Sequence, residues 1–327
     1  MNLQRASEMV GAGLTPASTI SDHPQPSAQA RDLVRGAYDL HVHTGPDLLP
    51  RSASDLDLAY RCRERGLAGF VIKSHYIPSA PRAAFVRLLV PEIHALGSIT
   101  LNAAVGGMNP VAVEIAARAG ARIVWMPTFD GCNEMSGHSS LPSGTKQPQW
   151  ARLQQELRDQ GISSEPVRVV DEECKVLPEV RKVLRSIAKH DLVLATGHLG
   201  RDEIFAVVEA AWAEGVQHII ITHPEYPTQD LSAEDQTVLA QQGALLERCF
   251  APPYSGKVSW ELIFANIRAT GPEHSFLSTD LGQPDNPPIE DGLPLMVDRL
   301  LAAGFSEEEI YTMAVVNTVW LATGGKK

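Results

Sequence analysis

The amino-acid sequence predicts a (β/α)8 TIM barrel with a long insertion after its fourth strand. Eight short apolar runs recur along the chain, helix-like segments lie between them, and several of those segments end at glycine. Runs such as GFVIKSH and HIIITH are almost continuously apolar, which is typical of parallel strands covered by helices. A doubly wound open sheet is the alternative. It would need a different strand count and usually a glycine-rich phosphate loop, and no such loop follows the first strand.

The predicted elements alternate in chain order. Strands are expected at Tyr38–His43, Ala68–His75, Ile99–Val105, Ala121–Thr128, Leu192–His198, His218–His223, Ala244–Phe250 and Ser275–Asp280. Helices are expected between them, as at Ser54–Arg65, Pro110–Ala119, Pro178–Lys189 and Asp202–Glu214. Gly66, Gly120 and Gly215 stand where a left-handed residue commonly ends a helix. This alternation indicates a single barrel domain.

The domain boundaries follow from composition. Residues 1–35 are rich in Ser, Pro, Ala and Gln without an apolar period, so we expect a flexible N-terminal tail before a single domain at 36–327. Residues 130–174 interrupt the alternation with clusters of Gly, Ser and Pro. Loops of this length are usually functional or disordered, and this one begins at the carboxyl end of strand 4, the face of a barrel that carries active sites. We therefore expect a lid or a pocket wall, with a plain packing insertion as the alternative.

Charge and cysteine content narrow the class of protein. The 327 residues include 28 Lys and Arg against 39 Asp and Glu, a net charge of −11, which makes nucleic acid a poor partner. No apolar run reaches the roughly 18 residues of a membrane span, and the N-terminus lacks the apolar core of a signal peptide. The four cysteines are far apart and form no CxxC pair. We expect a cytoplasmic protein with a small-molecule substrate and no membrane partner. A homo-oligomer is possible on this evidence.

Histidines gather at the carboxyl ends of the predicted strands. Alternate residues of a strand share a side, so His41 pairs with His43, and Lys73 pairs with His75. Asp280 ends the eighth strand. Imidazole and carboxylate groups are zinc ligands, so this rim predicts a site for one or two divalent metal ions, with zinc expected. The strand-end residues of this rim are His41, His43, Lys73, His75, His198, His223 and Asp280.

These motifs resemble a known group of enzymes. DLHVHTGPD, ATGHLGRDE, ITHPEYP and LSTDLGQP together resemble the amidohydrolase superfamily of metal-dependent TIM-barrel hydrolases, from about Tyr38 to Ala322. The resemblance implies that His41, His43 and Asp280 bind the more buried metal. It also implies that His198 and His223 bind a second metal where one is present. Asp280 would, in addition, accept a proton from the attacking hydroxide.

The sequence departs from this resemblance at one position. Many two-metal members have a carboxylated lysine on strand 4, whereas strand 4 here reads IVWMPTFD. Lys73 on strand 2 would either be carboxylated and bridge two metals, or stay an ammonium that binds an anionic substrate or stabilises an oxyanion. An ordinary ion pair is the third interpretation. We expect His75, Asp130 and His138 to contact the substrate.

The resemblance implies a hydrolase that activates water to cleave an amide, lactone or ester-like bond of a small molecule, with Asp280 and Lys73 catalytic. Three alternatives stay open. DLHVHT also resembles the opening motif of the polymerase-and-histidinol-phosphatase family, phosphoesterases with a seven-stranded barrel. The same site could decarboxylate an acid without hydrolysis. Finally, the barrel could bind metal and be catalytically inert.

Overall fold

The protein folds as an eight-stranded, nearly closed parallel barrel surrounded by helices, which confirms the predicted TIM barrel. A computed structural model describes residues 23–138, 149–162 and 165–325. The strands pair in chain order, each parallel to the next. Their bounds are β1 Tyr38–Val42, β2 Gly69–Ile72, β3 His94–Thr100, β4 Ala121–Trp125, β5 Val193–Ala195, β6 His218–Ile221, β7 Leu245–Cys249 and β8 Ser275–Ser278.

The seam between the first and last strands matters for the site. Val42 and Leu281 form an isolated parallel bridge, and the His43 amide donates to the Leu281 carbonyl at 2.8 Å. The Asp280 amide donates to the His41 carbonyl at the same distance. Closure of the barrel therefore brings the ends of β1 and β8 into contact at the carboxyl face.

Helices cover the outside of the sheet. α2 shows why the sequence forms them: Ser54 and Asp57 make reciprocal capping hydrogen bonds at its start, and Gly66 ends it with a φ of 76°. The α-helices are α1 Ala28–Leu33, α2 Asp55–Arg65, α3 Ala80–Leu89, α4 Pro110–Arg118, α5 Cys132–His138, α6 Gln149–Asp159, α7 Pro178–Lys189, α8 Arg201–Ala213, α9 Ala233–Gln241, α10 Ala251–Tyr254, α11 Trp260–Thr270, α12 Ile289–Ala302, α13 Glu307–Tyr311 and α14 Asn317–Thr323. Two 3₁₀ turns, Ala103–Val105 and Pro272–His274, and a π-helical turn, Thr312–Val316, complete the described elements.

The barrel interior is filled with apolar side chains from the strands, as at Leu40, Val71 and Phe276. Helix α14 closes its amino end: Leu321 belongs to this interior cluster, and the Thr318 hydroxyl accepts a hydrogen bond from the Tyr38 amide at 3.1 Å. The opposite, carboxyl end carries the polar side chains. No helix in the described part of the chain is long and apolar enough to cross a membrane.

The predicted third strand was placed too late in the chain. β3 runs from His94 to Thr100, and the chain turns at Asn102 into the 3₁₀ segment. Gly97 permits the earlier strand, because a β-carbon there would lie 2.3 Å from the Ala80 Cα at the start of α3. The sequence also placed residues 28–33 in the tail, whereas they form α1, in which Ala30 is buried. The division of the chain at residue 35 stays a prediction.

Candidate active site

Strand geometry directs the predicted site residues to the carboxyl mouth of the barrel. On β2, Val71 points into the barrel interior, so Lys73 and His75 follow on the same side. On β1, the pairing register shifts by one residue between Asp39 and Val42, a β-bulge. The His41 ring then lies inside the barrel, 4.7 Å from the Trp125 ring.

Three predicted ligands form one compact cluster. The Nε2 atoms of His41 and His43 lie 3.0 and 3.1 Å from the same oxygen, Oδ1 of Asp280. The ligand atoms of the three residues all lie within 4.8 Å of one another. Both histidines are buried, and the Asp280 side chain is 22% exposed. The cluster is therefore shielded but reachable from the mouth.

The donor set fits a divalent metal ion. Burial alone would lower the pKa of His41, but the carboxylates of Asp280 and Glu247 on its two nitrogens raise that pKa above its usual value. Burial would raise the pKa of Asp280, yet His41 and His43 hold it well below its usual range. Positive charge is thus favoured between His41 and Asp280, where a cation would sit among two imidazoles and a carboxylate. His41, His43 and Asp280 are the residues that would hold it.

The remaining histidines extend from this cluster around the mouth. The His223 ring lies 6.2 Å from that of His41 and 5.2 Å from that of His198. Burial, followed by the charge of His198, lowers the pKa of His223 to about 3. Burial and Arg51 likewise keep the pKa of His43 well below its usual value. The imidazoles of His223 and His43 are therefore neutral, the state in which a histidine can bind a metal.

Two of the site residues have unusual backbone conformations. His223 has a φ of 23° and Asp280 a φ of 54°, in the region that side chains other than glycine rarely adopt. Gly282 follows with a φ of 131°, and a β-carbon there would lie 1.7 Å from the His43 carbonyl oxygen. Such strain gathers at functional sites, where the surrounding structure holds it in place.

Lys73 lies against the metal-ligand cluster. Its Nζ is 2.9 Å from Nε2 of His41 and 4.2 Å from the centroid of the Trp125 ring. Burial lowers the pKa of Lys73, although Asp280 and Glu247 act in the opposite direction. The amine thus meets the same imidazole nitrogen that faces Asp280, which agrees with a role at the reacting centre. The geometry leaves the carbamate and ammonium interpretations both open.

The sequence analysis missed two buried carboxylates that lie beside the histidines, of which Glu247 forms a hydrogen bond that orients its partner, His41. Glu247 of β7 is fully buried, and its Oε1 lies 3.0 Å from Nδ1 of His41. Oε2 of Glu134, on α5, lies 3.2 Å from Nδ1 of His198. A carboxylate on the second nitrogen of a ligating histidine is a common feature of metal sites. The only sequence signal for Glu247 is an acidic residue inside the otherwise apolar start of LLERC.

The three predicted substrate contacts have different surroundings. The His75 ring stacks between those of His43 and Phe129, with centroid separations of 5.0 and 3.9 Å. Asp130 accepts hydrogen bonds from the Ala103 amide at 2.9 Å and from Gln154 Nε2 at 2.7 Å. The His138 side chain lies outside the described residues.

The insertion packs on the mouth of the barrel. Asn133 Nδ2 donates to the carbonyls of His198 and Thr228 at 3.1 and 2.6 Å. On α6, Gln154 Nε2 also donates to the Phe129 carbonyl at 3.1 Å. Asn133 and Gln154 therefore hold α5 and α6 against the loops at the mouth, and the lid or pocket wall expected of residues 130–174 stays a prediction. Residues 139–148 and 163–164 lie outside the described chain.

The fold is shared with several solved structures. An amidohydrolase from Pseudomonas aeruginosa is similar with a TM-score of 0.57 at 12% identity, over 90% of this chain and 97% of that one. A probable dipeptidase from the same organism gives 0.58 at 10% identity, over 90% and 96%. A putative 2-pyrone-4,6-dicarboxylic acid hydrolase from Pseudomonas putida gives 0.54 at 14%, over 89% and 99%. The predicted resemblance to the amidohydrolase superfamily is confirmed in the fold, and the eight strands differ from the seven-stranded barrel of the alternative family.

Sequence comparison gives a family without an assigned activity. No curated protein matches the chain. Residues 36–247, about two thirds of the chain, match the profile of a family of unknown function, DUF6282. This match covers β1 through β6 and reaches β7, and so includes His41, His43, His198 and His223. The chain therefore belongs to the DUF6282 family.

Proposed function

We propose that the protein is a metal-dependent hydrolase that cleaves an amide, lactone or ester-like bond of a small molecule. The observation that carries this proposal is the contact of His41 Nε2 and His43 Nε2 with one oxygen of Asp280, at 3.0 and 3.1 Å. The cluster lies at the barrel end where TIM-barrel enzymes have their active sites. Solved structures of the same fold bear the names of an amidohydrolase, a probable dipeptidase and a putative 2-pyrone-4,6-dicarboxylic acid hydrolase, which agrees with this class of reaction.

When bound, a divalent metal such as Zn²⁺ supplies Lewis acidity and lowers the pKa of a water molecule. His41, His43 and Asp280 would hold it. Asp280 contacts both imidazoles through Oδ1, so we assign its second oxygen, Oδ2, to proton transfer. It would accept the proton of the attacking water and deliver it to the leaving group. Glu247 holds His41 in the orientation that directs Nε2 to the cluster.

Lys73 is the second catalytic residue of the proposal. As an ammonium beside His41 it would stabilise negative charge on the carbonyl oxygen or bind an anionic substrate. As a carbamate it would instead supply an oxygen ligand, and His198 and His223 would complete a second metal site. The ring separation of 5.2 Å between His198 and His223 is compatible with such a site. The number of metal ions per chain stays a prediction.

Hydrolysis of a substrate panel tests the proposed reaction. Zinc-loaded protein is assayed on carbonyl esters, lactones, N-acyl amino acids and dipeptides, with phosphodiesters and an aromatic acid as tests of phosphoesterase and decarboxylase activity. We expect turnover only of the esters, lactones, N-acyl amino acids and dipeptides. This activity should be lost in Asp280→Asn, which removes the proton acceptor while keeping the side-chain size.

Two results would contradict the proposal. Turnover confined to phosphodiesters or to decarboxylation would identify one of the alternative reactions. Metal binding with no turnover on any substrate would favour the inert barrel. His274→Ala is the control, because this half-exposed residue lies in the 3₁₀ turn before β8, at the opposite end of the barrel.

A further inference from the structure

A cavity of about 270 Å³ lies between helix α6 and the loops that follow β2, β3 and β4. Its lining is mainly apolar and includes Phe129, Met135, Leu153, Leu157 and Ile162. Leu153 and Leu157 are four residues apart, so one face of α6 lines the cavity. Small-molecule sites usually enclose about 300–1,000 Å³, so a cavity of this size suits a substituent of a ligand rather than a whole one.

A stack of three rings lies between this cavity and the metal-ligand cluster. The His43 and His75 rings are 5.0 Å apart with an interplanar angle of 17°, and the His75 and Phe129 rings are 3.9 Å apart with an angle of 25°. His43 belongs to the cluster, and Phe129 lines the cavity. A ligand with its reacting group at Asp280 would therefore reach the cavity with an arm that passes the His75 and Phe129 rings.

One buried polar group beside the cavity lacks a hydrogen-bond partner in the described part of the chain. This group is the hydroxyl of Tyr76, which lines the cavity. Asp130, on the same cavity, is already bonded to the Ala103 amide and to Gln154. Burying a hydroxyl without a partner is destabilising, and a hydrogen bond to a ligand atom would remove that cost. Burial and the Asp47 carboxylate raise the pKa of Tyr76, so the hydroxyl stays protonated and can donate.

From this geometry we infer that the cavity is the specificity pocket of the site. It takes an aryl or branched alkyl arm of the substrate and donates a hydrogen bond from Tyr76 to an acceptor atom, such as an ether or carbonyl oxygen, on that arm. The inference rests on the proposed function, since the other end of the same molecule would lie at the metal cluster. The preferred substrates are then esters, lactones or amides with a bulky apolar substituent a few bonds from the scissile carbonyl.

A pair of probes tests the pocket without catalysis. Acetohydroxamate carries only a metal-binding group, and 4-(4-methoxyphenyl)butyrohydroxamate adds an aryl arm with an ether oxygen. Their dissociation constants for the zinc-loaded protein are measured by calorimetry. We expect the long probe to bind about tenfold or more tightly than the short one, the usual gain for filling an apolar pocket.

Three variants locate this gain. Leu157→Trp should fill the cavity and abolish the advantage of the long probe, while leaving acetohydroxamate binding unchanged. Leu88→Trp is the matched control, because Leu88 is 78% exposed on α3, and it should keep the advantage. Tyr76→Phe should weaken only the long probe. Equal affinities of the two probes for the unmodified protein, or an advantage that persists in Leu157→Trp, would overturn the pocket.

The two hypotheses fail separately in this design. If acetohydroxamate does not bind the unmodified protein, or binds His41→Ala equally well, the metal centre of the proposed function is wrong. Binding of the long probe still tests the proposed specificity pocket in that case. Binding that Leu157→Trp abolishes supports the pocket, and absence of binding to the unmodified protein refutes it.

Discussion

Glu247→Gln tests the role of the buried carboxylate behind His41. Glu247 Oε1 lies 3.0 Å from His41 Nδ1 and accepts from the Ser278 hydroxyl at 2.9 Å. The pKa of Glu247 would rise through burial, but the charge of His41 and its hydrogen bond hold it below the usual value, so the group is a carboxylate. It fixes the imidazole so that Nε2 points to Asp280. Glutamine keeps the size of the side chain and removes its charge.

The magnitude follows from the change in this hydrogen bond. A hydrogen bond to a charged group contributes about 1.5–3 kcal/mol and a neutral one about 0.5–1.5 kcal/mol, so the variant loses about 1–1.5 kcal/mol. That loss corresponds to a decrease of about tenfold in metal affinity, at the lower end of the usual effect of such carboxylates. Oε2 of Glu247 is buried without a hydrogen-bond partner in the described residues, so removing the charge relieves a desolvation cost that offsets the weaker bond to His41, and the Tm of the metal-free protein should change little.

Competition with a chromophoric chelator measures the zinc affinity, and calorimetry measures the Tm of the metal-free protein. Glu261→Gln, an exposed position in the first turn of α11, is the control and should change neither value. Zinc affinity within twofold of the unmodified protein would refute the role of Glu247. A large fall in Tm would instead show that the carboxylate mainly stabilises the fold.

Three further predictions concern other buried charges. Lys73→Ala and Lys73→Arg should both lower activity strongly; arginine keeps the charge of lysine but cannot form a carbamate. Short carboxylates added to Lys73→Ala should restore activity and second-metal binding only if the lysine had been a carbamate. Glu134→Gln should weaken metal binding by about tenfold through His198, measured by chelator competition. Arg248→Met leaves Glu225 buried without its cation, so the free energy of unfolding should fall by about 3–5 kcal/mol, measured by denaturant unfolding.

Each of these predictions has an outcome that contradicts it. Unchanged activity and metal content in both lysine variants would reduce Lys73 to a structural residue. For Glu134, an unchanged metal affinity would mean that α5 only packs against His198. The double variant Arg248→Met with Glu225→Leu should recover much of the lost stability, and a loss equal to that of the single variant would show that the packing of Arg248, not its charge, matters.

The strand ends were predictable because they depend on local rules. Alternation along β2 places Lys73 and His75 on the inner side, and the carboxyl ends of parallel strands meet at one rim of a barrel. The sequence alone therefore brings His41, His43 and Asp280 to the same face, although Asp280 is separated from His41 by 239 positions in the chain, as 280 − 41 gives. Their contact through a single oxygen of Asp280 depends on closure at the seam of β1 and β8 and could not be predicted.

The supporting residues were not predictable for a different reason. Glu247 meets His41 across the barrel and Glu134 meets His198 from the insertion, so neither contact leaves a pattern in the neighbouring sequence. The strand β3 was placed too late in the chain because apolar residues continue past Thr100 into the segment that forms a 3₁₀ turn. The cavity beside Tyr76 is formed by helix α6 and three loops, and it exists only in the folded chain.

Metal content tests the central claim most directly. The protein is loaded with zinc, dialysed against a weak chelator and analysed for metal per chain by elemental analysis, alongside His41→Ala with His43→Ala as a double variant and His274→Ala as control. We predict about one or two tightly held ions per chain in the unmodified protein and the control, and near-complete loss in the double variant with the fold retained. Full metal occupancy in the double variant would show that these histidines are packing residues and that no metal centre lies at His41, His43 and Asp280.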